Sequence, residues 1–128
     1  MADTTSILIV DDQPAVRALL TEILSPSFQC TTAGSAGEAI ALIESQFFHL
    51  ALVDVGLPGM SGIGLCRLLV KLSPGTSVVV VSGNTDDQSV ADSMKAGAVD
   101  YIKKPFNIAD VIATVERALG KQRPDAVA

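Results

Sequence analysis

No apolar run in this chain approaches the roughly 20 residues needed to cross a bilayer, so no membrane partner is expected. The opening Met1-Ala2-Asp3-Thr4-Thr5 has neither a basic region nor a cleavable apolar core. Export is therefore not indicated, and a cytoplasmic location is expected. Cysteine is scarce: Cys30 and Cys66 stand alone and lack metal-ligand spacing. In a reducing compartment they read as two small buried apolar residues rather than as a disulfide. The single histidine, His49, leads into an apolar run with no catalytic partner beside it, which points to a structural or exposed role. Positive charge is also short, with 9 Lys and Arg against 14 Asp and Glu, a net charge of -5. That balance argues against direct contact with a nucleic-acid backbone. There is no low-complexity tract and no internal repeat larger than a strand and its helix.

What the chain does have is apolar content. At 128 residues and 48% hydrophobic it is about one domain long and able to bury a core. Short branched runs alternate with segments of helical period. Pro14 suits a first helical turn, and Val16, Leu19, Leu20, Ile23 and Leu24 follow as an i, i+3, i+4 stripe that Ser25-Pro26 stops. Residues 28–33 read as a strand. Ser35 with Glu38 three residues on forms a capping-box signature for a helix carrying Ala39, Ile40, Leu42 and Ile43. The stretch Gly56-Leu57-Pro58-Gly59-Met60-Ser61-Gly62 is too rich in Gly and Pro to be regular. Ile63, Leu65, Leu68, Leu69 and Leu72 then mark a helix that ends at Ser73-Pro74-Gly75. The spacing predicts further helices over 85–95 and 107–119, with a short strand over 99–102 between them.

The resulting (βα)5 pattern, with nearly continuous Ile, Leu and Val strands, implies a doubly wound α/β fold. It is a five-stranded parallel sheet between two helical layers, a three-layer sandwich with the first strand central. One domain is expected over residues 1–119, with 120–128 a tail or the start of a linker.

Several strands end on residues that handle phosphate and cations. Ser6-Ile7-Leu8-Ile9-Val10 runs into Asp11-Asp12, and Leu50-Ala51-Leu52-Val53 runs into Asp54. Val78-Val79-Val80-Val81 ends on Ser82-Gly83, and Tyr101-Ile102 ends on Lys103-Lys104 before Pro105. In an open parallel sheet the carboxyl ends of the strands meet in one crevice. Asp11, Asp12 and Asp54 would form an all-oxygen site for a hard cation such as Mg²⁺, and would repel one another without it. Singly, Asp11 as a helix cap or Asp54 as a turn residue is an ordinary alternative. Five such residues at one sheet edge are poorly explained that way.

These motifs, in this order and spacing from about residue 6 to residue 119, closely resemble a response-regulator receiver domain of two-component signalling. The resemblance implies the flavodoxin-like receiver fold and assigns Asp54 as phospho-acceptor, attacking the phosphohistidine of a sensor histidine kinase or phosphotransfer protein. It gives Mg²⁺ to Asp12, Asp54 and the Gly56 carbonyl, with Asp11 acting largely through water. Lys104 would pair with the phosphate, helped by a cis bond to Pro105. Strand alternation points Lys103 away. Ser82 and Tyr101 would form the switch that remodels the face made by the fourth helix, last strand and last helix. Such a domain catalyses only its own phosphorylation and dephosphorylation.

Ser61 stands where the family often has an acid, Leu57 where methionine is common, and Ser82 where threonine is commoner. None of these alters the site. Gly56 matters more, since it offers no side chain over the phosphoryl group and leaves the tuning of phosphate lifetime to Asn84. A magnesium-dependent small-molecule phosphatase or phosphotransferase is a competing reading, but no second acid closely follows Asp54 and no segment is left over for a cap domain. A non-phosphorylated pseudo-receiver scaffold is the other, opposed by the complete set of site residues. The output would be a downstream protein partner or a missing output domain, with a phosphorylation-dependent homodimer left open.

Overall fold

A computed structural model of the chain describes residues 4–83 and 87–122. The expected alternation is present throughout. In chain order the elements are β1 (Ser6–Val10), α1 (Pro14–Leu24), β2 (Gln29–Ala33), α2 (Ala36–Ser45) and β3 (Leu50–Asp54). They continue as α3 (Gly62–Leu72), β4 (Ser77–Ser82), α4 (Asp87–Lys95), β5 (Asp100–Lys103) and α5 (Ile108–Gln122). All five strands are parallel, in the order β2-β1-β3-β4-β5.

Each strand is buried on both faces where it is apolar throughout, as parallel sheets require. On one face Leu8, Val10, Ala51, Val53, Val78 and Val80 pack against Ala39 and Ile43 of α2, Leu65, Cys66 and Leu69 of α3, and Ala96 after α4. On the other, Ile7, Ile9, Leu50, Leu52, Val79 and Val81 meet Leu20 and Leu24 of α1 and Val111, Val115 and Ala118 of α5. Burying a Leu, Ile or Val side chain contributes about 1.5–3 kcal/mol, so this alternation fixes the register of the whole sheet.

Some expectations need correction. The central strand is β3, with β1 beside it. The chain steps outward from β1 to β2 and then crosses back over β1, so the strand carrying Asp54 takes the middle and is the more completely buried. The second strand begins at Gln29, because the Phe28 N–H still closes the end of α1 on the Leu24 carbonyl. The last helix continues past 119 to Gln122. Residues 85 and 86, the expected start of the fourth helix, lie outside the described residues.

The scarce residues are structural. The Ser6 N–H donates to Nδ1 of His49 at 3.1 Å, and the His49 ring meets Phe47 edge-on at 5.1 Å. This ties the start of β1 to the approach to β3, at the sheet edge opposite the carboxyl ends. Cys66 is fully buried and burial pushes its thiol up to about 11; Cys30 is half-buried and its thiol is also raised. Both are free thiols.

Candidate functional site

Strand register brings the charged residues together. Val10 lies level with Val53, Asp54 with Val81, and Ser82 with Lys103. Asp11 follows β1, Asp54 closes β3, and the Lys104 N–H extends the ladder to the Ser82 carbonyl at 2.9 Å. One carboxylate oxygen from each of Asp11, Asp12 and Asp54 lies within 4.8 Å of the others. Asp11 and Asp54 are buried, whereas Asp12 is exposed.

Lys104 reaches into this cluster. Its Nζ stands 3.4 Å from Asp11 Oδ2 and 3.4 Å from Asp54 Oδ1. The Lys104-Pro105 peptide is cis, as the sequence resemblance implied. Lys103 is exposed, and among the described residues it forms no ion pair. Among the described residues three carboxyl groups gather around one ammonium. Close carboxylate oxygens without a matching cation are what a hard divalent ion binds, so the donor set fits such an ion.

The backbone around Asp54 is arranged to keep its carboxylate open. The Gly56 N–H donates to Asp54 Oδ1 at 3.2 Å. A Cβ at Gly56 would stand 3.9 Å from both carboxylate oxygens and would meet nothing else within 4 Å, so glycine leaves that approach uncovered. Gly62 does the opposite job. A Cβ there would fall 2.2 Å from the Asp54 carbonyl oxygen and 2.4 Å from the Val55 Cα, so only glycine lets α3 start against the end of β3. Its N–H closes on the Val55 carbonyl at 3.0 Å, and Ser61 caps α3 by accepting from the Gly64 N–H.

Turns on the other side hold Asp11. Its N–H bonds the Ala33 carbonyl at 3.1 Å, its Oδ1 accepts from the Gln13 N–H at 2.9 Å, and its carbonyl accepts from Arg17 Nη1 at 2.7 Å. The capping box at Ser35 forms on one side only: Ser35 Oγ accepts from the Glu38 N–H, but the Glu38 carboxylate reaches the Gly34 N–H at 2.6 Å. Ser82 is half-buried at the end of β4, and Tyr101 on the neighbouring strand is 37% exposed. Leu57 is buried beneath the loop. Asn84 lies outside the described residues. Sequence reasoning passed over Arg17 and took Gly62 only as a loop glycine. A Gly opening a helix directly after a capping serine was the one signal for the latter.

Comparison with known proteins agrees with this geometry. The family model for the response regulator receiver domain matches residues 7–116. The DNA-binding response regulator MtrA of Mycolicibacterium smegmatis is 32% identical over 120 residues, which cover 93% of this chain and 52% of that protein. The DNA-binding transcriptional regulator NtrC of Salmonella typhimurium is 31% identical over 112 residues, 87% of this chain and 24% of that one. The chain thus spans about half the length of the first of these relatives and about a quarter of the second. Among solved structures, a CheY-like response regulator receiver domain protein from Methanospirillum hungatei superposes with a TM-score of 0.90 at 36% identity, covering 96% of this chain and 99% of that one. The receiver domain of NtrX from Brucella abortus gives a TM-score of 0.84 at 34% identity, covering 89% and 98%.

Proposed function

Because the chain belongs to the response regulator receiver domain family, we propose that Asp54 is its phospho-acceptor and that the crevice works as a self-modifying switch. The observation that carries this is the Lys104 ammonium standing 3.4 Å from both Asp54 and Asp11 inside a cluster of three carboxylates. Asp54 as nucleophile is supported by its position on the central strand, a carboxylate uncovered at Gly56 and a backbone pinned by Gly62.

In the reaction, an Asp54 oxygen bonds to the phosphorus of a histidine phosphoramidate as the P–N bond breaks. The donor imidazole keeps the electron pair, and an acyl phosphate is left on the protein. Asp12, Asp54 and the Gly56 carbonyl would hold Mg²⁺, with Asp11 beside them acting through water. The ion would supply charge neutralisation on the transferring oxygens, the main demand of such a transfer. Lys104, a point charge on a flexible stem, follows the phosphoryl oxygens once they replace its present partners. A phosphotransfer protein or sensor kinase is the donor. An apolar groove between Leu19 and Ile23 of α1 and Phe106 and Ile108 before and in α5 lies on the two elements that leave this edge.

Ser82 then reports the phosphate through its hydroxyl. Its carbonyl holds the Lys104 N–H and its strand pairs with β5, so a shift of Ser82 is transmitted toward Tyr101. Turning a population from 1:99 to 99:1 takes about 5.5 kcal/mol of preference for one state. The remodelled α4-β5-α5 face would act on a downstream protein or output domain, in the cytoplasm, with no direct nucleic-acid contact by this domain. Among the described residues no helix is long and apolar enough to cross a membrane.

Incubation with Mg²⁺ and acetyl phosphate tests the assignment. A hydroxylamine-labile phosphoryl adduct is expected, and Asp54→Asn abolishes it. No adduct from acetyl phosphate or a cognate kinase removes the reading, while rapid hydrolysis of unrelated phosphomonoesters favours a metabolic enzyme instead. In the same assay Asn84→Ala is expected to change the decay of the adduct, and equal half-lives would sink that part.

A further inference from the structure

We propose that Arg17 is a positioning residue of the metal-binding turn, fixing the peptide between Asp11 and Asp12 so that Asp12 is presented toward the ion. The inference rests on the reading of Asp11, Asp12 and Asp54 as a Mg²⁺ site. It starts from an imbalance between neighbours. Asp11 is engaged through its N–H, its carbonyl and both carboxylate oxygens. Asp12 is exposed and has no hydrogen-bond partner among the described residues. Its placement therefore depends on the peptide that precedes it. The Asp11 carbonyl belongs to the planar unit that includes the Asp12 nitrogen and Cα. A guanidinium that holds that oxygen at 2.7 Å sets the tilt of the whole plane.

Arg17 is free for this task and is shaped into it. Among the described residues its guanidinium makes no ion pair. α1 has no side-chain cap at Gln13, so the turn before it is held instead by the Asp11 carboxylate and by Arg17 from within the first helical turns. The opposite wall is Gly34. A Cβ there would lie 3.0 Å from Arg17 Nη1 and 3.5 Å from its Cζ, so the missing side chain leaves the notch in which the guanidinium rests. Glu38 holds the Gly34 N–H at 2.6 Å and so keeps that wall in place. The metal turn is thus braced from α1 and from the start of α2 at once. Neither Arg17 nor Glu38 belongs to the carboxylate cluster itself.

Two substitutions attack the brace from opposite sides. Arg17→Met removes the donor, and Gly34→Ala leaves Arg17 in the chain but crowds its seat. The measurement is a Mg²⁺ titration of the phosphate-free chain followed by the backbone amide resonances of Asp11, Asp12 and Gln13. Arg17→Met is expected to weaken Mg²⁺ binding about tenfold, the usual cost of losing a partner behind a ligand. It is also expected to shift the Asp12 amide before any metal is added. Arg17→Lys, which can still donate to one carbonyl, retains most of the affinity. Gly34→Ala weakens binding in the same direction, and the double variant is no worse than Arg17→Met alone. Wild-type Mg²⁺ affinity in Arg17→Met, or a loss confined to thermal stability with the Asp12 amide unmoved, overturns the inference. Wild-type affinity in Gly34→Ala overturns the notch. If the unmodified chain shows no saturable shift at Asp11 and Asp12, the metal site itself fails, and the role of Arg17 with it.

Discussion

Two cations meet carboxylates at the ends of β5, and their sites are built differently. Arg117 of α5 meets Asp100 at the start of β5 through Nε at 2.7 Å, one cation to one acid. The other Asp100 oxygen accepts the Tyr101 N–H at 2.8 Å, so the acid is satisfied on both sides. At the far end of the strand, Lys104 is shared between Asp11 and Asp54 at 3.4 Å each, and among the described residues Asp12 stands nearby without a cation of its own. The Asp11 and Asp54 side chains are only 2% and 10% exposed, yet their contacts are the longer ones. A short, saturated pair anchors a helix to a strand and leaves nothing for a ligand to gain. A long, over-subscribed one leaves negative charge that a cation can meet. The choice of cation follows the same logic, since Arg offers a fixed fork and Lys a mobile point charge.

The contrast breaks hardest if the backbone under Asp54 is moved. Gly62→Ala places a Cβ where the Asp54 carbonyl oxygen now sits, and no flexible side chain can yield. A loss of about 3 kcal/mol in unfolding free energy is expected, measured by urea titration, with Mg²⁺ affinity falling as well. A chain that tolerates Ala there at less than a third of that cost would show that α3 does not start against the end of β3.

A smaller effect of opposite sign sharpens the comparison. Asp54→Asn removes one of three crowded carboxylates, so without metal the variant is expected to be more stable than the parent by about 1 kcal/mol. At Mg²⁺ ten times its dissociation constant the parent gains about 1.4 kcal/mol by mass action. The variant gains much less, so the advantage vanishes. Thermal melts with and without Mg²⁺ read both. A less stable metal-free Asp54→Asn would mean that Lys104 already compensates the cluster.

Much of this site could be read along the chain because its chemistry sits at strand ends. Ile7–Val10, Leu50–Val53 and Val78–Val81 each mark a buried strand, and the residue that follows must arrive at the same sheet edge. Lys104 was separable from Lys103 for a similar reason, since side chains alternate across a strand. What escaped depends on distances between backbones. Nothing in the period of α3 says that Gly62 touches the Asp54 carbonyl, and nothing in α1 says that Arg17 bends back to the turn before it. The Glu38 carboxylate was placed correctly on its helix turn but chose the Gly34 N–H over that of Ser35, a choice between two donors one residue apart. The position of β3 at the centre of the sheet likewise follows from how crossovers pack, which hydropathy does not encode.

The smallest expected effect tests whether the two contacts are independent. Asp100→Asn keeps an acceptor for the Tyr101 N–H and turns the oxygen that faces Arg117 into an amide NH2, removing both the charge and the hydrogen bond there. Because the Arg117 side chain is 55% exposed, water and salt already screen the pair. The melting midpoint is therefore expected to fall by less than Asp54→Asn raises it, and the difference from the parent is expected to shrink in 1 M salt (Debye length about 3 Å). Mg²⁺ affinity stays within about twofold, since ordinary side-chain couplings at well-separated sites are small. A marked change in Mg²⁺ binding would join the two ends of β5 into one electrostatic unit. The strand would then carry charge information from the crevice to Tyr101 directly, rather than through the backbone bond between Lys104 and Ser82.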